Sequence, residues 1–255
     1  MTPRIRREFM SVVTGILADN NIQYCVIGGT ALQEHGHNRA TADLDVLIAG
    51  TSIGSTVNLL AQNAPNNGQL ARIDGKCMRF RSEDGGEYTL DLTDHITFTS
   101  EDVQVVDGIA IGTLVFVLNL KASAWVLRRD VDMVAKKAND ARDIIFCLEQ
   151  LRGCTPIHPR QLRNIYRASF WNPFHAQYPV AKSLFAGAGI VWDGNEAAPS
   201  TSSGGNNSSQ NLSGFSSFQA GSQQGSQQGS QQGSRQVSRQ GSWQGSQQGS
   251  EQGSQ

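Results

Sequence analysis

Two aspartates, Asp43 and Asp45, lie two residues apart in the apolar stretch "ADLDVLI". Residues two apart in a strand project from the same side, with Cα atoms about 6–7 Å apart. A buried carboxylate is costly unless it is paired, hydrogen-bonded or bound to a metal, and two close together also repel. Oxygen ligands with no Cys or His beside them favour Mg²⁺ or Mn²⁺ over Zn²⁺. Because Mg²⁺ leaves coordination positions to water and phosphate oxygens, the pair predicts a nucleotide ligand.

A glycine pair, Gly28 and Gly29, ends the apolar run "IQYCVI" and opens a short helical stretch. Free backbone N–H groups and the helix dipole favour an anion at such a position. The hydroxyl of Thr30 could add another donor. The pattern therefore predicts a phosphate cradle, and its plainer alternative is an ordinary turn from strand to helix.

The combined pattern, "GG" followed by thirteen residues and then "DLD", resembles the signature of the polymerase-β-like nucleotidyltransferase superfamily. The string "GGTALQEHGHNRATADLDVLI" is most similar to its small members, the minimal nucleotidyltransferases and abortive-infection toxin-type proteins. The resemblance implies a third carboxylate on a later strand, which "TLDLT" offers as Asp91. A lysine on a later helix, Lys121, and a downstream Asp-x-x-Asp, Asp140 and Asp143, extend the resemblance over roughly 22–151.

The resemblance implies an enzyme that transfers a nucleoside monophosphate from an NTP to a hydroxyl or amine and releases pyrophosphate. Asp43 and Asp45 would hold Mg²⁺ or Mn²⁺, and Asp91 would hold a second ion or act as a base. Lys121 would contact phosphate or help deprotonate the acceptor. Arg39 would contact a phosphate or brace an aspartate. The sequence leaves open whether the acceptor is RNA, protein or a small molecule.

Several alternatives remain open at this stage. The chain could bind nucleotide without catalysis, or it could be an interaction protein that acts through its Gln/Ser/Gly-rich tail. Lys121 could be a solvated helix residue, and Arg39 could pair with Glu34. Asp140 and Asp143 are predicted to lie at a helix N-terminus and to brace a basic residue such as Arg128.

The order of elements predicts an α+β fold, in which a small mixed sheet with flanking helices is followed by a helical part and a disordered tail. We expect a catalytic core over 1–112, a helical part over 113–195 and the tail over 196–255. Sequence signals predict a helix from Pro3 to about Asp19, the hairpin "KCMRFRS"/"YTLDLTD" and a tight turn in "VQVVDGIAI". They also predict a helix over "TLVFVLNLKASAWVLRR", one capped by Asn139, and one over "HPRQLRNIYRASF".

Composition excludes several classes of protein. The net charge of −1 gives no global signal for binding duplex DNA. The four cysteines form no CxxC pair or zinc spacing, so we expect reduced thiols. No secretory signal or long apolar stretch is present, which predicts a cytoplasmic protein without a membrane partner.

Overall fold

The computed structural model describes residues 1–65, 69–94, 98–154, 157–192 and 194. The tail predicted to be disordered, 196–255, lies outside the described residues. The predicted boundary between a core over 1–112 and a helical part stays a prediction.

Among the described residues, seven strands form one mixed sheet: β1 (Gln23–Ile27), β2 (Asp43–Ala49), β3 (Leu70–Arg72), β4 (Cys77–Arg81), β5 (Glu87–Asp94), β6 (Val103–Val106) and β7 (Ile109–Gly112). Their order is β3-β4-β5-β2-β1-β7-β6. The β2–β5 and β1–β7 pairs are parallel and the others are antiparallel. The predicted α+β class with a mixed sheet is confirmed.

The α-helices of the described residues are α1 (Pro3–Asp19), α2 (Gly28–Glu34), α3 (Ile53–Asn63), α4 (Leu114–Leu127), α5 (Val134–Gln150), α6 (Ala168–Gln177) and α7 (Ala181–Gly187). Helix α1 begins as predicted, because the Thr2 hydroxyl accepts from the Ile5 amide and Pro3 needs no acceptor. Short 3₁₀ turns span Ser100–Asp102, Val131–Met133 and Pro159–Leu162. None of the helices in the described ranges is long and apolar enough to cross a membrane.

Two predictions about the helical region are wrong. Helix α5 begins at Val134, so Asn139 lies inside it and is not its cap. The helix predicted over "HPRQLRNIYRASF" is instead a 3₁₀ turn, and α6 starts only at Ala168. Asn164 explains the break, because its backbone N–H donates to the Asn119 side chain (2.8 Å) rather than to a helical carbonyl.

One side of β2 packs against the main apolar core, and the other side carries the aspartates. Leu44 and Val46 are fully buried in the main core cluster, which also contains α1 residues such as Phe9. The alternate residue Leu47 packs in a second cluster with residues of α4, among them Leu120. Because side chains alternate along a strand, Asp43 and Asp45 share the side of Leu47 and therefore face towards α4.

Candidate active site

Three strands bring a thiol and two carboxylates into one row. Asp45 of β2 lies opposite Asp91 of β5, and Asp91 in turn lies opposite Cys77 of β4. Paired residues on neighbouring strands project from the same side of a sheet. Asp43 lies two residues along β2 and also faces that side. The structure therefore places the three predicted carboxylates together.

Two carboxylates of this cluster have raised pKa values. Burial, partly offset by the charge of Lys121, raises the pKa of Asp45 to about 6, and the charges of Asp91 and Asp43 add to the rise. Burial and the charge of Asp91 also raise the pKa of Asp43, against the opposing charges of Lys136 and Arg39. The sheet carboxylates thus repel one another, and this arrangement favours a bound cation.

Glycine is required at position 28 for two reasons. Its backbone has φ +68°, which L side chains rarely adopt, and a Cβ there would lie 1.8 Å from Asp45 Oδ2. At Gly29, a Cβ would lie 2.8 Å from Arg39 Nη2 and 3.0 Å from Thr41 Oγ1. The two glycines therefore let the Asp45 carboxylate and the Arg39 guanidinium approach the start of α2.

Thr30 connects α2 to the acidic strand. The residue is fully buried, and its hydroxyl donates to the backbone carbonyl of Asp43 at 3.0 Å. The hydroxyl thus holds the start of β2, and the predicted donation to a phosphate would require it to leave this bond.

Buried ion pairs hold the basic residues of the site. Lys121 Nζ lies 3.1 Å from Asp140 Oδ1 and 2.8 Å from Asp143 Oδ2, and Arg39 Nε lies 3.0 Å from Asp143 Oδ1. Arg128 also pairs with Asp140, as expected. Both aspartates are buried within α5, so their predicted place at a helix N-terminus is wrong. Arg39 was predicted either to contact a phosphate or to brace an aspartate. In the structure it contacts an aspartate, Asp143.

Lys121 interacts both with the buried aspartates of α5 and, through its charge, with Asp45 of the sheet. Burial acts to lower its pKa, but the charges of Asp140, Asp143 and Asp45 together raise it. Because a lysine with a raised pKa stays protonated at neutral pH, this environment favours a cationic contact over deprotonation of an acceptor.

Lys136 was missed by the sequence analysis. It lies on α5 four residues before Asp140 and seven before Asp143, so the three residues share one face of the helix. Lys136 is exposed, and its charge acts on Asp43. None of the ion pairs found among the described residues includes Lys136. Its helical spacing from Asp140 and Asp143 was the signal that could have found it.

No protein-family model matches the chain, and none of the curated proteins matches its sequence. Among solved structures, it is similar to an antigenic nucleotidyltransferase-like protein from Paracoccidioides brasiliensis. The two share 16% identity with a TM-score of 0.58, over 75% of this chain and 96% of the other. The chain has a nucleotidyltransferase-like fold. The fold implied by the sequence resemblance is thereby confirmed.

Two further solved structures resemble the chain more distantly. JHP933 from Helicobacter pylori shares 18% identity over 73% of this chain and 84% of the other, with a TM-score of 0.44. The antibiotic-resistance factor ANT(2'')-Ia shares 12% identity over 71% and 97%, with a TM-score of 0.41.

The donor atoms of the acidic cluster fit a hard divalent cation. Asp43, Asp45 and Asp91 supply carboxylate oxygens from one side of the sheet, and their mutual repulsion would be relieved by a cation. In the part of the chain that the structure describes, no group of three or more His, Cys, Asp or Glu side chains is already arranged around one metal position. Mg²⁺ commonly takes one or two carboxylates and completes its shell with water and phosphate oxygens, so a full protein cage is not required.

Proposed function

We propose that this protein transfers a nucleoside monophosphate from an NTP to an acceptor hydroxyl or amine and releases pyrophosphate. The acceptor oxygen or nitrogen would attack the α-phosphorus, and the bond to the β-bridging oxygen would break. The Mg²⁺ or Mn²⁺ dependence, the substrate and the assignment of residues are parts of this proposal.

The observation that carries the proposal is the acidic cluster beside the start of α2. Asp45 lies opposite Asp91, its carboxylate approaches Gly28, and burial with like charges raises its pKa to about 6. A purely structural cluster would gain from replacing such a carboxylate by a neutral side chain. Carboxylates retained under mutual repulsion are typical of sites that bind a cation or transfer a proton.

The residues of the chain have distinct proposed roles. Asp43 and Asp45 hold the divalent cation, and Asp91 takes the proton of the acceptor or holds a second ion. A bound cation would supply neutralisation of the charge on the triphosphate and on the leaving pyrophosphate. Lys121, held by its buried partners, is placed to stabilise negative charge beside Asp45.

The phosphates are proposed to bind between the start of α2 and Lys136. The first amides of a helix have no intrahelical acceptor, so Gly28, Gly29 and Thr30 offer backbone N–H groups. Lys136, exposed above Asp43, supplies a positive charge that no acidic partner in the described residues occupies.

The test is a transfer assay that does not presuppose the acceptor. The protein is incubated with Mg²⁺, each α-labelled NTP in turn and an extract of RNA and protein, and the labelled molecule is identified. Pyrophosphate release is measured in parallel. We expect one macromolecule or small molecule to take up label from at least one NTP, together with an equal amount of pyrophosphate.

The matched control is the double variant Asp43→Asn with Asp45→Asn, whose side chains have nearly the same shape. We expect this variant to fold and to release no pyrophosphate above background. Pyrophosphate release equal to that of the unaltered protein would contradict the assigned roles of both carboxylates.

A second candidate is nucleotide binding without transfer. In that case Asp91 would serve only as the partner of the Cys77 thiol, which lies 2.7 Å from its Oδ1. Titration calorimetry with each NTP and Mg²⁺ separates the candidates, since binding without label transfer or pyrophosphate release favours the second.

A further inference from the structure

Cys77 ends the row formed with Asp91 and Asp45, and the proposed reaction does not use it. Its thiol donates a hydrogen bond to Asp91 Oδ1, with sulfur and oxygen 2.7 Å apart. The two residues are direct partners on β4 and β5, and Cys77 is half-buried. The contact is therefore built by strand register and not by a mobile surface side chain.

The backbone around Cys77 is fixed from both sides. Asp74 Oδ1 accepts from the amides of Lys76 and Cys77, both at 2.8 Å, which closes the turn that begins β4. The amide of Leu92 donates to the carbonyl of Lys76 at 3.1 Å, which ties this turn to β5 next to Asp91. Because these bonds hold the main chain at the start of β4, the position of the Cys77 side chain beside Asp91 is set by the fold.

We propose that Cys77 is a positioning residue whose S–H group holds one oxygen of Asp91 and turns the other towards Asp45. The proposal rests on the function proposed above. A carboxylate that binds a cation or accepts a proton works best when a neighbouring donor fixes its orientation. The thiol supplies that donor without adding a charge to a site that already carries three carboxylates.

This role differs in its consequences from simple packing on a strand. If only packing matters, Cys77→Val and Cys77→Ala should change the free energy of unfolding. Their Mn²⁺ affinity should then fall by no more than that loss of stability accounts for. If the donor matters, Ser restores function because its hydroxyl also donates, whereas Ala and Val do not. Loss of a group that orients a metal ligand typically weakens metal affinity by about 10–100-fold, and a thiol is a weak donor. We therefore expect an effect of about tenfold.

The first measurement is Mn²⁺ binding, followed by electron paramagnetic resonance. The full chain is titrated with Mn²⁺ in the presence of the α,β-methylene analogue of ATP, GTP, CTP or UTP, so that no transfer occurs. We expect Cys77→Ala and Cys77→Val to bind Mn²⁺ about tenfold more weakly and Cys77→Ser to stay within about threefold of the unaltered protein. Cys154→Ala, at an exposed cysteine, is the matched control and should bind normally.

The second measurement needs neither metal nor nucleotide. The S–H stretching band of Cys77, assigned by its loss in Cys77→Ser, should lie at lower frequency than that of a free thiol and should shift in Asp91→Asn. Thermal unfolding of each variant identifies any that fails to fold. If either Cys77→Ala or Cys77→Val fails, the other one is used for the comparison.

The outcomes separate the two proposals. Unchanged or tighter Mn²⁺ binding in a folded Cys77→Ala or Cys77→Val variant overturns the positioning role alone, as does weak binding in Cys77→Ser. An S–H band that does not respond to Asp91→Asn also overturns it. If the unaltered protein binds no Mn²⁺ with any of the four analogues, the proposed function falls, and the positioning role falls with it.

Discussion

Replacing Asp45 by Asn should stabilise the protein while removing its proposed activity. The two side chains have nearly the same shape, so the substitution keeps the close approach to Gly28 that a larger side chain would lose. What changes is the charge in a position where burial is the largest cause of the raised pKa. The loss of that charge relieves both the desolvation cost and the repulsion from Asp43 and Asp91.

The size of the effect follows from linkage between protonation and folding. The pKa of Asp45 rises from its ordinary 3.8 to about 6 in the folded state. Because the folded state binds the proton more tightly, the charge costs nothing below pH 3.8, and its cost grows as the pH rises to about 6. The cost is about 1 kcal/mol at about pH 4.5 and about 3 kcal/mol at about pH 7.5.

The assay is thermal unfolding in a metal-free buffer containing a chelator, at about pH 4.5 and about pH 7.5. For a domain of this size, about 3 kcal/mol raises the Tm by roughly 6–12 °C at the higher pH. Asp94→Asn is the matched control, because Asp94 is exposed on the same sheet but on the side opposite Asp91. If Asp45→Asn does not raise the Tm at the higher pH, or raises it equally at both pH values, the charge argument is refuted.

Two further predictions concern the basic residues of the site. Asp143→Asn should lower the free energy of unfolding by about 3 kcal/mol in urea titrations, because it leaves two cations without their shared buried partner. A loss below about 1 kcal/mol would contradict this account of the ion pairs. Lys136→Ala should raise KM for the NTP by about fivefold to tenfold with little change in kcat, whereas Arg142→Ala, also exposed on α5, should change neither. Equal effects of the two substitutions would show that only net charge matters.

Local sequence signals were sufficient to predict most strands of the sheet and the pair Asp43 and Asp45. Asp91 was singled out by the family resemblance. Strand β5 could be predicted because its apolar residues alternate with polar ones, and β2 because it is a short, largely apolar run. The hairpin turn after β6 followed from Asp107-Gly108, both of which have positive φ in the structure. These features depend on neighbours in the sequence, so pattern and turn chemistry decide them.

Contacts between distant segments decided the features that the sequence analysis missed or placed wrongly. Asn139 looks like a helix cap, but α5 extends back to Val134 and carries Asp140 and Asp143 into the interior. Nothing local marks Cys77 as a partner of Asp91, because their pairing depends on the register between β4 and β5. Long-range pairing of this kind overrides a local signal wherever it satisfies a buried polar group.

The fold treats its two sets of carboxylates differently, and this difference argues for a cationic ligand. Those of α5, Asp140 and Asp143, are held by basic side chains at ion-pair distance. Among the described residues, those of the acidic cluster on the sheet have no basic side chain at ion-pair distance. Burial and the charges of Asp91 and Asp43 raise the pKa of Asp45 to about 6, against the opposing charge of Lys121. A chain able to neutralise one set with its own side chains could have neutralised the other in the same way. The sheet carboxylates instead keep their charge facing a glycine-lined helix start, where a divalent ion and a triphosphate would balance each other.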